Sequence, residues 1–351
     1  MQHFEPLIEN AWYVAAWSSE LRDKPLARQI LNQNVVLFRD SFGRVGVLED
    51  RCCHRAAPLA QGEVVAGGLQ CGYHGMTFDV DGQCVANPGE PNISSKMKVQ
   101  SFPIIERQNF VWVWMGEPSL AEENDIVDFP FHKQGEEWPF QFERYHIGCN
   151  YMLIIDNLMD LSHLAYVHRR TIGDSASNHA KVEMNVEPTE NGVKFLRWIL
   201  DTPPPPTFVK AMGFKTNVDR WSDFEYLAPS SVLQWAGGLE VGRNAQKNRH
   251  QKGAYSMRMF HAATPETEHS CHYFWSVANG YRQDDPHAAT ELYNEIAPTF
   301  DEDVKMLEAQ QRILERDPSQ ALILRQQDEA LSFARKAIRN LANKTVLNTL
   351  N

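Results

Sequence analysis

The stretch RCCHRAAPLAQGEVVAGGLQCGYHGMTF, residues 51–78, decides how the rest of the chain is read. Cys52 stands two residues before His54, sixteen residues intervene, and Cys71 then stands three before His74. A structural zinc site commonly pairs cysteine with cysteine in one knuckle and histidine with histidine in the other. Here each short loop offers one thiolate and one imidazole. Such a donor set suits two bridged metals with different needs, one taking both thiolates and the other both imidazoles.

Around this stretch the chain reads as globular. Its 351 residues exceed what a single hydrophobic core usually serves, and 43% apolar residues can fill two. The opening MQHFEPLIENAWYVAAW lacks a basic leader and a long apolar core, and no run of about eighteen uncharged apolar residues occurs. Neither a signal peptide nor a membrane span is expected. A formal net charge of −11 without a long basic run leaves no electrostatic footprint for nucleic acid. Six cysteines are too sparse for a disulfide framework, and their pairing with histidines points to metal in a reducing compartment, the cytoplasm.

Organisation changes along the chain. Short alternating runs such as QNVVLFRD, RVGVLED and NFVWVWMGE, broken by DG, GG and NPGEP turns, predict a small antiparallel β domain over residues 1–125. Acidic SLAEENDIVDF reads as a surface linker. Beyond it, residues 126–351 combine a helix-like YMLIIDNLMDLSHLAYVH, further strand runs and a helical last third, an α+β pattern. AYSMRMFHAA and CHYFWSVANG flank a TPETEH turn and predict a hairpin.

The second domain holds Asn157, Asp160, His163 and His168 in one short run, and two such histidines taken alone are more often core or surface residues than ligands. Asp160 and His163 are neighbours on one helix face, so the carboxylate can orient the imidazole. His168 lies five residues further, about 140° around a regular helix. Both histidines reach one metal only if the helix ends or distorts between them. A metal held by two histidines commonly takes a carboxylate as its third protein ligand. Asp301, Glu302 and Asp303 stand at what reads as a helix start, where acids also serve as caps and dipole partners.

The pattern C-x-H-x16-C-x2-H resembles the Rieske [2Fe–2S] signature, with Cys52 and Cys71 on one iron and His54 and His74 on the other. CGYHGMTF lacks the extra cysteine and the hydroxyls of high-potential centres, which predicts a potential toward the lower end of the Rieske range. Cys53 stands where that family usually has proline, and a packed thiol is expected. DNLMDLSHLAYVH resembles the N/D-x2-D-x2-H-x4-H motif of Rieske non-haem iron oxygenases. With NAWYVAAW, TPETEHSCHYFW and DEDVKMLEAQQ, the resemblance covers nearly the whole chain, which is similar to the vanillate O-demethylase oxygenase group, including dicamba monooxygenase-like enzymes.

That resemblance implies an all-β Rieske domain followed by an α+β catalytic domain, whose antiparallel sheet and helices carry a mononuclear Fe(II). It selects Asp303 as third iron ligand beside His163 and His168, with Asp301 as the alternative. It gives Asn157 and Asp160 catalytic roles, Asp160 bridging to His74 of a neighbouring subunit in a trimer. It also implies a partner reductase with flavin and a plant-type [2Fe–2S] ferredoxin domain, fed by NAD(P)H. The reaction would use O2 to remove a methyl group from a small methoxylated aromatic acid. Substrate contacts are expected from His261, which precedes AATPE, and from Gln234 and Trp235 in LQW, with Arg243, Arg249 and Arg258 as candidate partners of a carboxylate. Hydroxylation of another small organic molecule, or electron carriage alone, are the other readings open to these motifs.

Overall fold

The computed structural model describes residues 4–349 apart from 91, 134–137, 170–171, 173–181 and 250. The chain divides into two compact units, one of residues 7–128 with 264–267, the other of residues 1–6, 129–263 and 268–351.

The first unit is all β. Its strands are β1 (Ala11–Trp17), β2 (Leu26–Ile30), β3 (Gln33–Arg39), β4 (Val45–Glu49), β5 (Glu63–Val65), β6 (Gly68–Gln70), β7 (Thr77–Phe78), β8 (Cys84–Ala86), β9 (Ile104–Arg107) and β10 (Phe110–Met115). They form three antiparallel sheets, ordered β1-β10-β9, β2-β3-β4 and β5-β6-β7-β8. AWYVAAW and FVWVWM pair as β1 and β10 with every residue buried, so both are covered on both faces. Val36, Phe38, Leu48, Leu59, Leu69 and Phe78 make a second core, and Cys52 and Cys71 are buried against it. The two loops of the opening motif therefore spring from packed apolar floors.

The second unit is α+β. A seven-stranded sheet runs β11-β17-β16-β15-β14-β13-β12, comprising β11 (Phe140–Ile147), β12 (Glu183–Thr189), β13 (Gly192–Thr202), β14 (Val218–Leu227), β15 (Ser231–Glu240), β16 (Tyr255–Pro265) and β17 (Cys271–Asn279). The hairpin expected around TPETEH joins β16 to β17, which are neighbours in this sheet. Helices α1 (Tyr151–Met159), α2 (Pro206–Met212), α3 (Ala288–Arg316) and α4 (Glu329–Thr349) complete the unit. Seven of the nine residues of α1 are buried, so its place is fixed by apolar contact. Arg335 of α4 ties α1 down further, donating to Asp156 at 2.5 Å and to Glu5 at 3.2 Å.

Two elements differ from the sequence expectation. The run from Tyr151 to His168 is not one helix: α1 stops at Met159, Asp160 is extended (φ −126°, ψ 101°), and a 3-10 turn follows over Leu161–Ala165. The carboxylate of Asp160 forces the change, accepting the amide proton of Ser162 at 2.8 Å and its hydroxyl proton at 2.9 Å. Conversely, Asp301–Asp303 do not begin a helix; they lie within α3, which contains Pro298. Acidic residues are favoured in a first turn as caps and dipole partners, which is why the sequence there reads as a start. Among the described residues no helix is long and apolar enough to cross a membrane.

Candidate metal centres and the adjoining cavity

The two loops of the first unit repeat one hydrogen-bonding pattern. Cys52 donates its amide to Ala57 O at 2.9 Å and Ala56 donates to Cys52 O at 2.9 Å; Cys71 donates to Met76 O at 2.8 Å and Gly75 to Cys71 O at 3.0 Å. Each loop turns through a left-handed residue at the equivalent place, Ala56 (φ 56°) and Gly75 (φ 79°). At Gly75 a side chain would meet Pro88 Cγ at 2.9 Å. The result puts two buried thiols below and two exposed imidazoles above, with the rings of His54 and His74 4.6 Å apart. That inner pair of thiols and outer pair of imidazoles fits a mixed-ligand [2Fe–2S] cluster. Tyr73, exposed, lies against His74 at 3.9 Å between ring centroids. Cys53 is exposed rather than packed, as are His54, Arg55 and Ala56 after it, so the whole tip of the knuckle faces outward.

In the second unit His163, His168 and Asp303 converge, each offering one ligand atom, all within 4.8 Å of one another. The break after α1 is what allows it: the 3-10 turn brings the two imidazoles to a centroid separation of 5.2 Å. Asp303 Oδ1 lies 3.7 Å from His163 Nε2 and 3.2 Å from His168 Nε2. Both Nδ1 atoms face acceptors instead, His163 the backbone carbonyl of Asp160 at 2.6 Å and His168 the carboxylate of Glu302 at 2.7 Å. With Nδ1–H donating, each Nε2 keeps its lone pair for a metal. Two imidazoles and one carboxylate on one face fit mononuclear iron.

Asn157 Nδ2 donates to Asp303 Oδ1 at 3.0 Å and fixes the carboxylate. Asp160 thus orients His163 through its main chain, not through the carboxylate the sequence suggested. Asp301 is not in the cluster. Glu302, missed as a partner of His168, was legible only once α3 was known to continue, since adjacent residues then point in different directions. Burial pushes the His163 pKa down, against the pull of Asp303. Burial also opposes charge on His168, but the hydrogen bonds and charges of Asp303 and Glu302 outweigh it and raise the pKa.

A cavity of about 140 Å³ opens onto these ligands. Its floor is one face of the sheet, since alternate residues of a strand share a face: Arg197 pairs with Ser222, Ser222 with Ala236 and Ala236 with Met257, and all four line it. Gln234 and His261 line it. Trp235 does not; it packs with the opposite-face cluster of Trp198, Trp221 and Leu239. Arg258 stacks on Trp235 at 3.6 Å, Arg249 stacks on it at 4.1 Å and pairs with Asp223, and Arg243 donates to Lys252 O. None of those three arginines reaches the cavity. A second hollow of about 830 Å³ is bordered by Asp160, Ser162, His163, Tyr166 and Arg197.

A mixed Cys/His loop pair on an all-β unit, followed by a two-histidine, one-aspartate cluster on an α+β unit, defines a Rieske non-haem iron oxygenase. Residues 11–103 match the Rieske [2Fe-2S] domain, and residues 147–344 match the vanillate O-demethylase oxygenase C-terminal domain. The chain belongs to the vanillate O-demethylase oxygenase family. It is 37% identical over 330 residues to a putative toluene-4-sulfonate monooxygenase system iron-sulfur subunit of Comamonas testosteroni, covering 94% of this chain and 95% of that one. It is 37% identical to a vanillate O-demethylase oxygenase subunit of a Pseudomonas species over 90% of this chain and 89% of that one. A crystal structure of dicamba monooxygenase bound to dicamba superposes with a TM-score of 0.86 at 34% identity, covering 97% of this chain and 98% of that one.

Proposed function

We propose that this chain is the oxygenase component of a cytoplasmic multicomponent system that O-demethylates a methoxylated aromatic acid, yielding a phenol and formaldehyde. The observation that carries the reading is a single, largely apolar cavity lined at once by His163, His168 and Asp303 and by Phe224, Met259 and Phe300. A flat ring fits between such walls, and its methyl group is then held beside the iron ligands. The balance is one O2 and one NAD(P)H with a proton consumed per methyl ether, giving phenol, formaldehyde and water. Bound iron supplies the oxygen chemistry. The protein holds the ring, excludes bulk water and controls electron entry.

Cys52, His54, Cys71 and His74, within the Rieske part of residues 1–125, would hold the cluster. His163, His168 and Asp303, within the catalytic part of residues 126–351, would hold Fe(II), and Asn157 keeps Asp303 in place. Asp160 would carry the electron path from the His74 of a neighbouring subunit in a homotrimer to His163. Its position on the rim of the larger hollow supports this, because a partner's tip needs such a recess. Electrons would come from a separate reductase with flavin and a plant-type [2Fe–2S] ferredoxin domain.

With a compatible reductase, NAD(P)H and oxygen, a panel of methoxybenzoates should yield formaldehyde and the matching phenol in equal amounts. If no member is consumed, O-demethylation is wrong. A second reading, oxidation of an aromatic sulfonate, is favoured by the toluene-4-sulfonate relative; it predicts an oxidised sulfonate without formaldehyde.

A further inference from the structure

An aromatic acid buried in the cavity needs a counter-charge, since an unpaired carboxylate in an apolar site is strongly disfavoured. His261 does not supply one. Burial alone holds its pKa down at about 3, so the ring is neutral. Its nitrogens are engaged, Nδ1 with the Tyr273 hydroxyl at 2.7 Å and Nε2 with Gln234 Oε1 at 3.0 Å. Asp303, the carboxylate on the cavity wall, has the wrong sign.

Apart from imidazoles, the cations lining the cavity among the described residues are Arg197 and Arg220. They stand on one face of adjacent strands: Arg197 pairs with Ser222 and Ile199 with Arg220, which makes the two arginines diagonal neighbours. Across β15, Arg220 lies opposite Gly238, where any side chain would meet Phe208 at 2.7 Å and Arg220 Cγ at 3.4 Å. The missing side chain leaves room for both. Arg197 is only 6% exposed. Burial and then the charge of Arg220 lower its pKa to about 10, with Asp160 pulling the other way, and it stays cationic at neutral pH. Two guanidinium groups on one face of neighbouring strands, Arg197 buried and Arg220 half-buried, are stabilised by an anion between them, and their planar forks suit the oxygens of a carboxylate or sulfonate.

We propose that Arg197 and Arg220 are the anion anchor of this cavity, gripping the carboxylate or sulfonate of an aromatic substrate, a role that His261 does not fill. This rests on the aromatic-acid reading above and names the side chains that enforce it.

The test is calorimetric binding of 4-methoxybenzoate, 4-methoxybenzenesulfonate and neutral 4-methoxybenzamide to the oxidised holoenzyme without reductase. Arg197→Met and Arg220→Met should each weaken the preferred anion about ten- to a hundredfold, while the amide is unaffected. Arg220→Lys should recover part of the loss, and an unchanged cluster EPR signal and iron content certify the fold of each variant. The tighter of the two anions in wild type identifies which acid the anchor serves. Equal loss of anion and amide, loss seen only in His261→Gln, or a wild type that binds neither anion would overturn the anchor. Arginine-dependent binding without formaldehyde in turnover would instead leave the anchor standing and remove O-demethylation.

Discussion

His168 places Nδ1 2.7 Å from the carboxylate of Glu302 and turns Nε2 toward Asp303 Oδ1, 3.2 Å away. Residues 302 and 303 are adjacent on α3, yet they serve the two ends of one imidazole. Helix geometry allows this because successive side chains diverge by about 100°.

Glu302→Ala should therefore lower iron affinity by about ten- to a hundredfold without touching the cluster. Glu302→Gln should lose less, since an amide oxygen still accepts the Nδ1 proton. Iron per chain after graded chelation, read beside the cluster EPR signal, checks both. Equal iron retention in wild type and Glu302→Ala would show that this hydrogen bond does not orient the ligand.

For Asp160 the structure separates two roles. The backbone carbonyl holds His163 at 2.6 Å, and the carboxylate caps the turn through Ser162. Asparagine caps almost as well as aspartate. Asp160→Asn should keep both metal contents and thermal stability while nearly abolishing turnover, whereas Asp160→Ala should also cost about 1 kcal/mol of stability. Full activity in Asp160→Asn would remove the carboxylate from the electron path.

Much of this site was legible in the sequence, and the reason differs by residue. Cys52, His54, Cys71 and His74 sit in two tight knuckles whose ligand spacing is local, so spacing alone announced them. His163 and His168 were legible as donors, and the need for a break between them followed from their angle on a helix. The place of the break did not, because it depends on Asp160 preferring its own turn to the helix. Asp303 was named through the family resemblance, while Glu302 was passed over because an acidic run reads as the capped start of a helix. The two cavity arginines were passed over because they lie on β13 and β14, and which strand face meets the cavity is set by pairing across the whole sheet. Trp235 was misplaced for the same reason, one residue from Gln234 and so on the other face.

The matched knuckles give a paired prediction. Ala56 and Gly75 occupy the same left-handed position, where a side chain costs about 1 kcal/mol or more. Ala56→Gly should be neutral or raise stability by up to about 1 kcal/mol, the relief being partly offset by greater freedom in the unfolded chain. Gly75→Ala should destabilise by about 1–3 kcal/mol, because its new side chain also meets Pro88 Cγ at 2.9 Å. Thermal unfolding together with cluster iron per chain measures both changes. Comparable losses in the two variants would mean that the knuckles are not equivalent.

His261 should give the second unit a pH-sensitive stability. Burial lowers its pKa from 6.5 to about 3. Between these two values the unfolded chain binds one more proton at this site than the folded chain does. Stability therefore falls as pH drops below about 6.5, and this contribution levels off below about 3. At pH 5 the loss relative to neutral pH is about 2 kcal/mol from this residue alone. His261→Gln cannot titrate, and its amide can still meet Tyr273 and Gln234. The variant should be less stable at pH 7 but lose about 2 kcal/mol less than wild type on going to pH 5. Urea unfolding of both proteins at the two pH values measures that difference. If the two lose the same amount, the imidazole is not held neutral by burial, and His261 returns as a candidate cation for the substrate's acid.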